Sequence, residues 1–484
     1  MYIIGLDVGT QGARAICCDG KGNITAQFTV PFTMEPEGKL PAGWSEQNPQ
    51  LWWQTARKCL QEIVKELKIR NTSTERITAL AVTSTSGTIL PIREDGIPLR
   101  AAIMYNDTRA VEEAQELNEI GKELTEKLGY RFSSSFALAK ILWVKRHEPK
   151  IFDRTWRFIH AADYIVGKLT GRFDVSDISN TLKTGYDHLE GKWPTFIERS
   201  LGIATTMLPQ VLNIGETIAP ISHTASQEVG LSSTTVVVAG ATDGTASFFA
   251  SGATRIGDWN STLGTTLVVR GVSRQLVKDS KGRIYCHRHP QGYWLPGGAS
   301  STGGECLKKK FAGENLEMLD KKALQKLPTN LIVYPLVRKG ERLPFQNPEA
   351  EGFVIGESND QTELYAAYLE GVGYVERWIY EILEELGAEV GNKVFVTGGG
   401  AKSQVWLKIR ASILGKQLVR PLLPEAAMGA AVIAASRTFY ENIDQAVQSM
   451  IRHDLVVEPQ VDLHERYQKR YGEFRKICAE RGYE

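Results

Sequence analysis

Cysteine is scarce in this chain. Six are scattered over 484 residues, at positions 17, 18, 59, 286, 306 and 478, and no two form a Cys-x-x-Cys pair. A disulfide framework or a zinc site needs closer grouping, so reduced thiols are expected. A surplus of one charge is missing as well. Fifty-seven Lys and Arg meet fifty-six Asp and Glu, a net charge of +1, without the basic footprint of a nucleic-acid binder. No apolar run nears the roughly 18 residues that span a bilayer. The start, Met1-Tyr-Ile-Ile-Gly-Leu-Asp7, has no basic region and places a carboxylate inside its apolar stretch. The expectation is a cytoplasmic protein with neither nucleic acid nor membrane as partner.

Several catalytic signatures are also absent. There is no Gly-x-x-x-x-Gly-Lys-[Ser/Thr], no His-Arg-Asp with Asp-Phe-Gly, and no His-Glu-x-x-His, which excludes P-loop enzymes, protein kinases and one class of zinc peptidase. Cys286-His287-Arg-His289 puts two imidazoles on one strand face, but no third ligand stands nearby, so a polar strand face is the reading. What remains is ordinary globular composition, 42% hydrophobic and 23% charged, long enough for about two to four domains.

The pattern along the chain alternates strands and helices. Residues 2–8 read as a buried strand, broken at Gly9-Thr10-Gln11-Gly12 and resumed at Ala13–Cys18. A turn at Asp19–Asn23 leads to a third strand, Ile24–Phe32. Asn48-Pro49 is a cap followed by proline at the first helical position, opening an amphipathic helix to about Leu67. Within it, one of Trp52 and Trp53 is expected in the core and the other half exposed. Val236–Ala239 is a β-branched run entering Gly240-Ala-Thr-Asp243-Gly244. A second meander follows, with Leu263-Gly264-Thr265-Thr266 at its first bend. Helices are expected at 361–386, 403–414 and 426–438, a strand at 394–397, and beyond 450 only a short, charged, helical tail. The halves rhyme, since each opens with a meander whose turn carries Gly-Thr. Two related α/β domains around a cleft follow.

Four constellations can carry chemistry. A glycine-bearing turn at Gly9, Thr10 and Gln11 presents backbone N–H groups to an anion, with Arg14 reaching a phosphate or forming a salt bridge. Asp7 beside it is placed to hold Mg²⁺ through water; the bland alternative is a plain hairpin. Asp243 at a strand end can take a proton from a hydroxyl, or can cap a helix from Thr245. Gly264-Thr265 makes sense as a second phosphate turn, or as another hairpin. The bends at 296–304, with Gly303, and at 397–403, with Gly399, Gly400 and Ser403, let backbone approach a base or ribose closely, or else serve tight packing.

Together these segments resemble the FGGY carbohydrate kinases of the actin/Hsp70-like superfamily. The similarity runs along essentially the whole chain. It includes Leu6-Asp-Val-Gly-Thr10, Gly43–Pro49 with Trp52-Trp53, Tyr105-Asn-Asp-Thr-Arg109, Lys140-Ile-Leu-Trp143, Gly240–Gly244 and Val396–Trp406. One departure is Ala137, where Pro, Ser or Thr is usual. The resemblance implies an α/β fold of two actin/Hsp70-like (ribonuclease H-like) domains flanking a nucleotide/sugar cleft. Residues 1–245 would hold sugar and the first phosphate loop, and 246–484 would hold ATP. It implies ATP- and Mg²⁺-dependent phosphorylation of a sugar hydroxyl, with Asp243 as base and Asp7 on the metal. Ser86, Asn106, Asp107 and Asp243 would face the sugar. Gly9, Thr10, Gln11, Arg14, Gly264, Thr265, Gly303, Gly399, Gly400 and Ser403 would face the nucleotide.

Among substrates, Thr85-Ser86-Gly87, Asn180–Tyr186, His287, the 297–304 bend and Lys339-Gly-Glu-Arg342 are most similar to the D-ribulose kinase branch. The intact Tyr105–Arg109 segment is more like xylulokinases, and Ser86–Pro91 is similar to L-ribulokinases. A terminal hydroxyl of D-ribulose is therefore the expected acceptor, with D-xylulose and L-ribulose as alternatives. An actin/Hsp70-like ATPase module is the rival of another class. Oligomeric state stays open, a homodimer included.

Overall fold

The computed structural model describes residues 1–32 and 40–484. They form two compact units. The first comprises Met1–Ala250, His287–Gly292 and Glu425–Ile451; the second comprises Ser251–Cys286, Tyr293–Pro424 and Arg452–Glu484. The units are thus not contiguous in the chain, whereas the sequence points to one division at 245/246.

The sheet of the first unit is built on β1 (Tyr2–Val8), β2 (Gly12–Asp19), β3 (Ile24–Pro31), β4 (Ile77–Ser84), β5 (Thr217–Pro220) and β6 (Val236–Thr242), in the order β5-β6-β4-β1-β2-β3. β1, β2 and β3 form an antiparallel meander, while β4 and β6 run parallel to β1. Apart from Asp7 near its end, β1 is apolar because both faces are covered, with Ile3, Ile4 and Leu6 fully buried. On one face lies the helix Pro49–Ile69, whose start is fixed by Asn48 accepting from the Gln50 N–H at 3.0 Å. Its stripe of Trp52, Ala56, Cys59, Leu60, Ile63 and Leu67 follows helical spacing. Trp53 is buried too, not half exposed as expected, because the neighbouring helix Ala161–Thr170 packs against this helix and sets Lys168 over the Trp53 ring.

On the other face lies the helix Ala426–Ala435, apolar on all sides and buried throughout from Ala427. It approaches β1 at backbone distance. A Cβ on Gly5 would stand 1.9 Å from the Ala427 carbonyl oxygen, and one on Gly429 would stand 1.8 Å from that of Ala246. Gly5 sets how closely the helix, with Glu425 at its N-terminal boundary, seats beside β1, and Gly429 sets how closely it packs on the helix Asp243–Ala250.

The second unit repeats the plan with β7 (Trp259–Leu263), β8 (Leu267–Gly271), β9 (Trp294–Ala299), β10 (Lys393–Thr397), β11 (Gln417–Pro421) and β12 (His453–Val457). These are six of the seven strands of its sheet, the seventh being Tyr285–Arg288 beside β9. Their order, β9-β8-β7-β10-β11-β12, repeats the meander and the two parallel strands of the first sheet, with an antiparallel strand again at the far edge, here following its neighbour in the chain instead of preceding it. The rhyme in the sequence is therefore a repeated topology. The segment beyond 450 is more than a helical tail, since it supplies β12 before the helix Val461–Glu480. Among the described residues no helix is long and apolar enough to cross a membrane.

Gly5→Ala and Gly429→Ala are each expected to destabilise the chain by about 1–3 kcal/mol or more, because the added methyl meets backbone that cannot yield by rotamer change. Gly472→Ala, mid-helix with nothing within 4 Å, should instead stabilise by about 0.5–1 kcal/mol. Urea unfolding midpoints check both signs.

Candidate functional site

In the first unit the parallel register brings three strand ends level. Asp7 lies beside Thr83, and Val8 and Thr242 both lie beside Ser84. The segments that leave these ends are the Gly9–Gln11 turn, the Thr85–Thr88 loop and Asp243. Ligands of open α/β sheets bind outside such carboxyl ends.

The turn is held from behind. The Thr10 carbonyl accepts from Gln47 Nε2 at 2.8 Å and the Gln11 carbonyl accepts from Phe32 N–H at 2.9 Å, while both side chains stay exposed. Arg14 donates from Nε to Thr29 Oγ1 at 2.8 Å and is ion-paired with Glu425. Of the two roles open to it in the sequence, the structure realises the salt bridge. Glu425, which no sequence signal marks, comes from the far end of the chain to face Asp7 and Arg14.

Asp7 Oδ1 is buried and has no hydrogen-bond partner. Burial foremost, then the charge of Asp243, pushes the Asp7 carboxyl up to about 7, with Arg14 opposing and Glu425 reinforcing. A carboxylate oxygen left unused among like charges fits a bound cation. Among the described residues no three His, Cys, Asp or Glu side chains form a ready-made metal cage. The fit is to a hard, largely hydrated divalent ion held through water and ligand oxygens.

β6 delivers Asp243 as the first residue of the helix Asp243–Ala250, so it heads this helix instead of capping one from Thr245. The strand end before it is pinned. The Thr242 N–H donates to Ser179 Oγ at 2.8 Å, and Ser179 Oγ donates to Asp177 Oδ1 at 2.7 Å.

The Thr85–Thr88 loop carries a buried hydroxyl, Ser86 Oγ, without a partner. Gly87 has φ of 85°, which favours glycine, and its carbonyl accepts from Lys140 Nζ at 2.8 Å. Lys140 is fully buried, and burial with the nearby Lys183 charge pushes its ammonium down to about 7. A lysine inside the apolar run Ala137–Val144 is the sequence signal for this anchor, though not for what it holds. Asn106 is exposed. Asp107 is engaged locally, accepting from the Ser45 N–H at 2.6 Å and from Arg109 Nε and Nη2 at 2.9 and 2.7 Å.

In the second unit β7 and β10 run parallel, with Thr262 beside Thr397. The Gly264-Thr265 turn and the Gly398–Gly400 bend therefore leave from the same edge. Gly303 packs under the turn, where a Cβ would lie 2.5 Å from the Thr265 carbonyl oxygen. Gly400 packs on Leu263, while an added Cβ on Gly399 would meet nothing within 4 Å. Of the two, only Gly399 offers open backbone to a ligand. Ser403 caps the helix Gln404–Leu414 by accepting from the Trp406 N–H at 3.0 Å. This unit thus combines a Gly-Thr turn with an open glycine bend. The first combines a carboxylate at a strand end, a hydroxyl loop and a carboxylate suited to a cation.

Residues 2–250 match the N-terminal domain, and residues 259–437 the C-terminal domain, of the FGGY family of carbohydrate kinases. The xylulose kinase of Staphylococcus epidermidis is 28% identical over 488 residues, covering 98% of this chain and 96% of that protein. The xylulose kinase of Bacillus subtilis is 26% identical over 490 residues, with 98% and 96% covered. The solved structure of a xylulose kinase from Rhodospirillum rubrum superposes with a TM-score of 0.88 at 26% identity, covering 99% of this chain and 98% of that one.

The Lys140 anchor predicts a pH effect. Its folded pKa of about 7 lies below the ordinary 10.5, so the folded state holds this proton less tightly than the unfolded chain. Stability relative to Lys140→Met should therefore rise from about pH 7 upward, at most about 1.4 kcal/mol per pH unit. Urea titrations of both proteins from pH 7 to 9 check it; a gap that stays flat would contradict the burial of Lys140.

Proposed function

The chain belongs to the FGGY family of carbohydrate kinases and is a phosphotransferase acting on an alcohol group, and from that premise we propose that it transfers the terminal phosphoryl group of ATP to a hydroxyl of a ketopentose, D-xylulose. The observation that carries this reading is the level register of β1, β4 and β6, which sets Asp7, the Ser86 loop and Asp243 at one sheet edge.

In this reading the acceptor sugar lies against the Thr85–Thr88 loop, where Ser86 Oγ gains the partner it lacks. Asp243 takes the proton of the attacking hydroxyl as the new O–P bond forms and the bond to the β-phosphate oxygen breaks, releasing ADP. General-base help of this kind contributes about 10²–10⁴-fold. Asp7 would hold Mg²⁺ through water, and the ion, when bound, would offset the charge of the phosphates. Thr10 and Gln11, and Thr265 in the Gly264-Thr265 turn, supply N–H groups to phosphate oxygens, the Gly264 N–H being taken by the Thr266 carbonyl at 3.0 Å. Gly399 lies open to the base or ribose, while Gly303, Gly400 and Ser403 support the backbone around it.

The choice of sugar departs from the sequence reading, which favours D-ribulose on the Thr85–Gly87 loop. The relatives above are xylulose kinases that align over nearly the whole chain, and they support the alternative. The intact Tyr105–Arg109 segment agrees with them.

ADP release by the purified protein should be followed with ATP and Mg²⁺ against D-xylulose, D-ribulose, L-ribulose, D-gluconate and no sugar. The expected result is stimulation by a pentulose, with kcat/KM at least tenfold higher for D-xylulose than for D-ribulose. A preference for D-ribulose would return the assignment to the Thr85–Gly87 loop. Turnover that no sugar stimulates would overturn the pentulose-kinase reading.

A further inference from the structure

The segment Lys339-Gly-Glu-Arg342 has no part in the proposed chemistry, yet Glu341 is 3% exposed and carries an unusually full set of hydrogen bonds. Its Oε2 accepts from Ser300 Oγ at 3.1 Å, Thr302 Oγ1 at 2.9 Å and Tyr334 OH at 2.9 Å. Its Oε1 accepts from the Ser301 N–H at 2.5 Å and the Arg342 N–H at 2.9 Å. Among the described residues it makes no ion pair, so a buried carboxylate is held by neutral donors alone. Three of the five donors belong to consecutive residues, Ser300 to Thr302.

That bend is docked on the Gly264-Thr265 turn. Leu267 N–H donates to the Thr302 carbonyl at 2.8 Å, and Ser300 N–H donates to the Leu267 carbonyl at 2.9 Å. Gly304 N–H donates to the Gly264 carbonyl at 2.9 Å, and Glu305 N–H to the Thr265 carbonyl at 3.2 Å. Gly303 permits this close approach, since a Cβ there would lie 2.5 Å from the Thr265 carbonyl oxygen. In a trans peptide the C=O and the following N–H point in opposite directions. Holding the Gly264 and Thr265 carbonyls toward the bend therefore aims the Thr265 and Thr266 N–H groups away from it, as a pair of anion donors.

We propose that Glu341 is the positioning residue of this phosphate-binding turn: it fixes the 300–302 bend, and the bend fixes the direction of the two N–H groups. The inference rests on the nucleotide reading of the second unit. It predicts that disturbing Glu341 weakens the grip on phosphate and spares contacts to the nucleoside and the sugar.

The test is calorimetric titration of the full-length protein with MgADP and, separately, adenosine, for wild type, Glu341→Gln and the milder Thr302→Val, which removes one of the five bonds. In Glu341→Gln the amide N–H₂ faces donors where an oxygen accepted. The expected result is an ADP Kd raised at least tenfold with adenosine Kd changed less than twofold. Thr302→Val should shift ADP in the same direction by a smaller factor. In turnover, KM for ATP should rise while KM for the sugar holds. Should Glu341→Gln fail to fold, Thr302→Val carries the comparison alone. Folded variants with an unchanged ADP-to-adenosine ratio, or with both ligands weakened equally, would overturn the positioning role. Wild-type protein that binds neither ADP nor adenosine would instead remove the nucleotide reading beneath it.

Discussion

The constraint on which the rest depends is close backbone packing in the first unit. Gly5 lets the helix Ala426–Ala435 lie against the sheet with no side chain between, and Gly429 does the same against the helix Asp243–Ala250. That seat brings Glu425 to the Arg14 guanidinium and, through it, into the field of Asp7. It also covers the second face of β1 and β4, which permits the apolar strands whose ends bear Asp7 and the Thr85–Thr88 loop. A side chain at either glycine would disturb packing and site together.

The two units use one plan for their Gly-Thr turns. Each turn's carbonyls are tied back by a neighbouring segment, leaving N–H groups for the opposite side. In the first unit the ties come from Gln47 and Phe32. In the second they come from the 300–305 bend, itself gathered by Glu341. Buried charges serve as anchors in both. Lys140 holds the Gly87 carbonyl and Glu341 holds three consecutive residues. Burying a charge is costly unless its bonds are made, so such anchors keep a loop in one geometry rather than adding stability for its own sake.

What could be read from the sequence was local. Asn48-Pro49 marked a helix start because capping chemistry involves neighbours only. The two Gly-Thr turns and the β-branched run before Asp243 stood out for the same reason, and their likeness across the halves is the repeated sheet order. Long-range partners were illegible. Nothing near Glu425 says that it will face Arg14, and nothing in Lys339–Arg342 says that it will hold the 300–302 bend. The burial of Trp53 is not legible locally because its cover comes from a helix a hundred residues on, Ala161–Thr170. The motif around Asp107 does not show that its carboxylate accepts from Arg109 and from the Ser45 N–H. The choice between two pentuloses rests on the orientation of one hydroxyl, which short motifs do not encode.

The central claim is that Asp243, at the level edge of β1, β4 and β6, takes the proton of the acceptor hydroxyl. Single-turnover transfer from γ-labelled ATP to D-xylulose, compared between wild type and Asp243→Asn alongside sugar binding, tests it most directly. The account predicts a transfer rate at least about 10²-fold lower in the variant, with sugar and nucleotide still bound. Transfer at the wild-type rate would contradict it.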